Sequence, residues 1–234
     1  MKKLSIESVI STFFGIGKFP FFPGTVASLV ATILVALLFY QPHFVSKEGK
    51  EYLEMGAVLI SPNYIIYVLI LSSVLLYVIG VWAADKYSKS INVKDPSSVV
   101  IDEVAGIFAS FSLVSLIYAL LLMFFEQEFI LYLMLSMGFF PVIFILFRIF
   151  DMTKPWHVGR ADKKYEGGFG IMIDDIIAAV YTAIAFYSIF FALKFAGYLD
   201  KMIETQNLEK INDYIGRGFE ALLYIPYQIY LIFI

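Results

Sequence analysis

FRIFDMTKPWHVGRADKKYEGGFGIMIDD, residues 147–175, is a polar passage set between two long apolar runs. It holds five basic residues and five acids in a chain otherwise dominated by Leu, Ile, Val, Phe and Tyr. The runs on either side, 129–150 and 176–198, each reach the ~20 residues needed to cross a hydrocarbon core. The passage therefore ends one spanning helix and begins the next. Ionisable side chains at the edge of a bilayer are unfavourable unless a metal ion, a substrate or a partner compensates them. Asp151, Lys154, Asp174 and Asp175 are thus the first candidates for chemistry.

The rest of the chain fits the same setting. Sixty per cent of its 234 residues are hydrophobic and 16% are charged, with a mean hydropathy of +0.81, well outside the balance of a soluble domain. Three further apolar runs, at 26–40, 64–84 and 104–125, bring the expected count to about five spans. The expected fold class is all-α, a polytopic transmembrane helical bundle. The first run is short at fifteen residues, and Pro141 should kink the fourth. Only Glu126, Gln127 and Glu128 separate the third run from the fourth, which predicts a tight antiparallel hairpin. Residues 1–198 are expected to form the membrane domain, and 199–234 an extension: a polar linker followed by an apolar helix, interfacial or a sixth span. A cleaved signal peptide is not expected, because the apolar patch after Lys2 and Lys3 is short and broken by Gly and Pro. A net charge of −3 with no basic stripe gives no case for nucleic acid. The absence of Cys excludes a thiol nucleophile and Cys-ligated metal.

Orientation follows from the Lys and Arg count over the loops. With five spans and the N-terminus inside, eleven basic residues fall in inside loops and five in outside loops. That bias puts four separated passages on the cytoplasmic face: the Gly/Pro segment 15–25, the pair Asp102 and Glu103, the stretch 148–154, and the pair Asp174 and Asp175.

Each passage has a structural explanation and a chemical one. Either acid pair would cap the N-terminus of a following helix, accepting hydrogen bonds from first-turn amides and meeting the positive end of the dipole. One acid suffices for capping, whereas two adjacent acids repel. A hard divalent cation such as Mg²⁺ relieves that repulsion through oxygen ligands, commonly a few carboxylates plus substrate phosphate oxygens. Arg148, Asp151 and Lys154 recur every three residues and share one side of a helical turn. They fit a surface ion pair worth a few tenths of a kcal/mol, or a metal carboxylate flanked by two phosphate-binding cations. Pro155 predicts that this helix ends near Lys154. Gly167, Gly168 and Gly170 read as an entry loop or a close backbone approach, and Thr25 as an N-cap after a turn at Pro20, Pro23 and Gly24. His157 reads as a loop histidine, and His43 falls on the outer side.

GIGKFPFFPGTVAS, VVIDEVAG, FRIFDMTKPW and GGFGIMIDDIIAAV, in this order and spacing, resemble the phosphatidylglycerophosphatase A family of bacterial membrane lipid phosphatases. The resemblance covers residues 15–185. It implies Mg²⁺-dependent removal of the terminal phosphate of phosphatidylglycerophosphate, a phospholipid substrate in the bilayer, to give phosphatidylglycerol. It places the enzyme in the bacterial inner membrane with its site toward the cytoplasm. It also implies Asp102, Glu103, Asp151, Asp174 and Asp175 as essential acids and metal ligands, with Arg148 and Lys154 on the phosphate. His157 and the pair Ala27 and Ser28 depart mildly from the family pattern.

The main competing class is a divalent-cation or proton-coupled transporter, since intramembrane acids also mark ion paths. A transporter places acids near mid-helix. None of the five runs carries one in its middle, and the candidate acids Asp102, Glu103, Asp151, Asp174 and Asp175 gather at one face, which favours interfacial chemistry.

Overall fold

The computed structural model describes residues 5–47, 50–57, 62–121, 139–154 and 166–195. Helix α1 (Ile6–Ser11) leads through a 3₁₀ turn (Ile16–Lys18) to α2 (Pro23–Phe39). A hairpin of β1 (Tyr40–Lys47) and β2 (Lys50–Ala57) follows, with Tyr40 opposite Ala57 and Lys47 opposite Lys50. The chain then forms α3 (Pro62–Ile91), α4 (Ile101–Leu121), α5 (Phe139–Thr153) and α6 (Gly167–Phe195).

The bundle is helical throughout, and the hairpin is an addition between its first two long helices. Among the described residues, three helices are long and apolar enough to cross a membrane: Ile65–Ile91, Ile101–Leu121 and Gly167–Leu193. Helix α2 is apolar but shorter at 17 residues, and the described part of α5 has 15. Tyr67, Leu71, Val74, Val78 and Trp82 recur at helical spacing along α3, and all are exposed. An exposed apolar stripe of that length needs an apolar surrounding, and on a helix long enough to span a bilayer that surrounding is lipid. This is a membrane protein.

Helix α4 lies at the centre, buried on nearly every side, and packs against α2, α3, α5 and α6. Small residues permit it: Ala105, Gly106, Ala109 and Ser110 are all buried, and Gly106 receives the ring of Phe147 from α5. Buried hydroxyls bond back into their own helices, as Ser110 Oγ to the Gly106 carbonyl at 2.8 Å and Thr182 Oγ1 to the Ala178 carbonyl at 2.9 Å. Such back-bonding lets small polar residues sit where water is absent. Tyr187 Oη donates to the Val114 carbonyl at 2.6 Å and ties α6 to α4. Phe39, Phe111, Phe139, Phe140 and Phe186 stack edge-on where α2 ends and α5 begins.

Several boundaries differ from the sequence-based expectation. Helix α6 begins at Gly167, not near residue 176, so Asp174 and Asp175 lie two turns inside it and cap nothing. The glycines before them are its first turn rather than an entry loop. Helix α2 begins at Pro23, a residue pre-shaped for the first helical position, which places Thr25 inside the first turn instead of at the N-cap. Helix α5 ends at Thr153, as Pro155 predicts, and Lys154 turns into the left-handed region at φ +41°. Pro141 lies two residues into the described part of α5. The hairpin at 126–128, His157 and the extension 199–234 lie outside the described residues.

Candidate active site

Alternation of the helices brings the start of α2, the end of α3, the start of α4, the end of α5 and the start of α6 to one end of the bundle. The ends of α2, α4, α5 and α6, with the segment that follows α3, enclose a cleft of about 320 Å³. All seven residues singled out by sequence line it: Asp102 and Glu103 from α4, Arg148 and Asp151 from α5, Lys154 just after it, and Asp174 and Asp175 from α6.

The acids form its floor. Carboxylate oxygens of Asp102, Glu103 and Asp175 lie within 4.8 Å of one another. Asp102 Oδ1, Glu103 Oε2 and Asp175 Oδ2 are each shut off from solvent and accept no hydrogen bond. Buried polar atoms are ordinarily satisfied, and like charges this close repel strongly where the dielectric is low. An all-oxygen set of this kind suits a hard divalent cation. These residues therefore fit a metal ion, and an ion would satisfy all three orphaned oxygens together.

The cations form its wall. Arg148 Nη1 is ion-paired with Asp151 Oδ2 one turn along α5, and each side chain is only 14% exposed. Arg148 Nη2 donates to Thr25 Oγ1 at 3.2 Å, and Nη1 to Ser28 Oγ at 3.5 Å, so α2 braces the guanidinium. Its Nε is buried and has no acceptor. Lys154 Nζ donates to Asp174 Oδ2 at 2.7 Å. That reach depends on the left-handed backbone of Lys154, a conformation usually left to glycine at helix ends. Strain of this sort, worth about 1–3 kcal/mol, persists where surrounding structure imposes it.

Sequence reasoning passed over two supports. Gly24 was visible only as part of a turn. In the fold it lies against Glu103 Oε1 and Arg148 Nη1, with no room for a side chain. Asp85, near the end of α3, accepts from Gly168 N at 3.4 Å and docks the first turn of α6. A Cβ on Gly168 would collide with the Val81 carbonyl and the Asp85 backbone. The local signals, PGT and GGFG, were legible; their partners came from other helices. The rim at 94–97, ahead of α4, was not singled out at all.

The family described as phosphatidylglycerophosphatase A matches residues 9–190. A phosphatidylglycerophosphatase A of Haemophilus influenzae is 29% identical over 81% of this chain and 93% of its own length. A protein of Bacteroides thetaiotaomicron named "Putative phosphatidylinositol-3-phosphatase" is 34% identical over 79% of this chain and 94% of its own. A phosphatidylglycerophosphatase A of Escherichia coli is 30% identical over 75% of this chain and 78% of its own. No solved structure gives a significant match.

Proposed function

The chain belongs to the phosphatidylglycerophosphatase A family, and from that premise we propose that it hydrolyses the terminal phosphomonoester of phosphatidylglycerophosphate to phosphatidylglycerol and phosphate. It is a phosphatase of the membrane. The further assignments are a Mg²⁺ requirement, a bacterial inner membrane, and a cleft turned to the cytoplasm, the last from the eleven-to-five bias of basic residues. The observation that carries the reading is the cleft itself, where braced cations stand beside carboxylates that lack partners.

Asp102, Glu103 and Asp175 would hold the ion, with Asp151 and Asp174 beside them. Bound there, Mg²⁺ supplies Lewis-acid neutralisation of phosphoryl charge. Arg148 offers a donor with a fixed direction, because Thr25, Ser28 and Asp151 hold its fork and leave Nε without an acceptor. Lys154 brings a compact charge from just beyond the end of α5, steadied by Asp174 on α6. Together they steady the three oxygens on which charge builds during phosphoryl transfer. Two routes fit: in-line attack by water, or attack by a cleft aspartate followed by water. Trapping a hydroxylamine-sensitive phosphoenzyme after rapid quench distinguishes the second from the first. The relative named for phosphatidylinositol 3-phosphate supports the broader substrate class, a phosphomonoester on the polyol head of a phospholipid.

The purified protein in detergent is expected to release phosphate from phosphatidylglycerophosphate. Chelation should abolish release and Mg²⁺ restore it, while Ca²⁺, which favours more ligands at longer distance, restores little. Release that is absent in Mg²⁺, or indifferent to chelation, sinks the assignment.

Gly24→Ala offers a test of the supporting shell. The added methyl would displace the Glu103 carboxylate while only touching the Arg148 guanidinium, and misplacements near 1 Å can lower rates about 10²-fold. Alanine is otherwise the better helix former by ~0.5–1 kcal/mol. The expected result is a large fall in phosphate release with no loss of thermal midpoint; equal activity would show that Glu103 has room to move.

A further inference from the structure

From the rim of the cleft we infer that Lys94 forms a second anion subsite, which takes the phosphodiester of the same lipid head while the phosphomonoester lies on the floor. This rests on the proposed function and extends it to how the substrate is chosen. Among the described residues, three cations line the cleft: Arg148, Lys154 and Lys94. The first two hold acids of the floor at close range. Lys94 stands apart from them, on the segment between α3 and α4, and meets Glu166 across the mouth at 3.5 Å.

That pair is loose. Its side chains are 67% and 83% exposed, and an exposed ion pair contributes only ~0–1 kcal/mol. An incoming anion can therefore replace Glu166 at little expense. The segment beneath Lys94 is fixed, because Val100 N donates to the Ser11 carbonyl at 2.9 Å and Tyr87 Oη lies 3.2 Å from Ser98 Oγ. A mobile ammonium on a fixed support is a usable recognition element.

Size and charge point the same way. About 320 Å³ exceeds what one phosphoryl group fills and lies at the lower end of the range for small-ligand sites. The floor carries five carboxylates, so a second anion is repelled from it and settles at the rim. Asp95 also lines the rim, and Lys94 is the cation that offsets it there.

The test uses the full-length protein in detergent with two inhibitors that divide the head. Short-chain phosphatidylglycerol has the phosphodiester alone, and inorganic phosphate mimics the monoester alone. Lys94→Ala is expected to raise the inhibition constant of phosphatidylglycerol about tenfold, the scale of one charge-assisted hydrogen bond. The constant for inorganic phosphate should move less than about twofold on the same scale. KM for phosphatidylglycerophosphate should rise more than kcat falls, and Lys94→Arg should recover most of the loss. If both inhibition constants rise together, or neither does, the subsite is wrong although the phosphatase stands. A wild type that releases no phosphate from phosphatidylglycerophosphate overturns the proposed function, and the subsite with it.

Discussion

Asp175→Asn is expected to lower turnover of phosphatidylglycerophosphate by about 10²- to 10³-fold, the range seen when one preorganised electrostatic contact is removed. At about 1.36 kcal/mol per tenfold, this is roughly 3–4 kcal/mol of transition-state stabilisation. The fold should not suffer. Asparagine has nearly the same shape, and the change removes a negative charge from three carboxylates that crowd one another, each with one oxygen that has no hydrogen-bond partner. In the absence of divalent cation the variant should melt no lower than the wild type. With Mg²⁺ the order should reverse: the wild type gains stability as a ligand binds its folded state, by ~2.7 kcal/mol at 100 times the dissociation constant, and the variant gains little. A scan of thermal midpoint against Mg²⁺ therefore reads ion binding separately from catalysis. An Asn variant that retains both full turnover and the Mg²⁺-dependent rise would remove Asp175 from the site.

Arg148→Lys is the second large effect, expected at about 10²-fold in kcat, because the positive charge is kept and the direction is lost. Guanidinium and ammonium differ here in a physical way. Arg148 reaches Asp151 on its own helix and both Thr25 and Ser28 on α2. One ammonium group on a flexible stem cannot hold all three and still present a donor to substrate. Arg148→Ala should act differently, since it leaves Asp151 in a largely desolvated place without its cation. Breaking such a pair costs about 3–5 kcal/mol, so the alanine variant should melt markedly lower while the lysine variant stays near the wild type. If Lys at this position supports wild-type kcat, charge alone suffices and the bracing by α2 has no catalytic purpose.

Much of this cleft could be read along the chain. The polar residues 148–154, 102–103 and 174–175 stand out because apolar runs surround them, and alternation across a bilayer forces helix ends of the same sense onto one face. Spacing of three placed Arg148 and Asp151 on one side of α5, as found, whereas Lys154 lies past the helix end and reaches the same cleft from a left-handed backbone. What spacing could not give was packing between helices. The role of Gly24 depends on Glu103, 79 positions later, and that of Gly168 on Asp85, 83 positions earlier. Hydropathy likewise misplaced the start of α6. It tracks burial in lipid rather than backbone geometry, so it located the apolar run at 176 but missed the nine residues, 167–175, by which the same helix extends into the polar layer. That extension changes the meaning of Asp174 and Asp175: their carboxylates line a shared cleft from the flank of a helix, and the amide bonded there, Asp175 N to Asp174 Oδ1 at 3.1 Å, lies two turns inside the helix and is not a first-turn donor.

The cleft draws on the start of α2 and on residues as late as 175, with its contributions taken from helix ends and from the segment ahead of α4. During synthesis the parts therefore arrive one at a time, and the last carboxylates come only when α6 emerges. Until then Asp102 and Glu103 lack Asp175, the third member of their acidic cluster, and the cleft of a nascent chain is incomplete. Activity begins when the final described helix seats against α4, which makes catalytic competence a report on completed insertion.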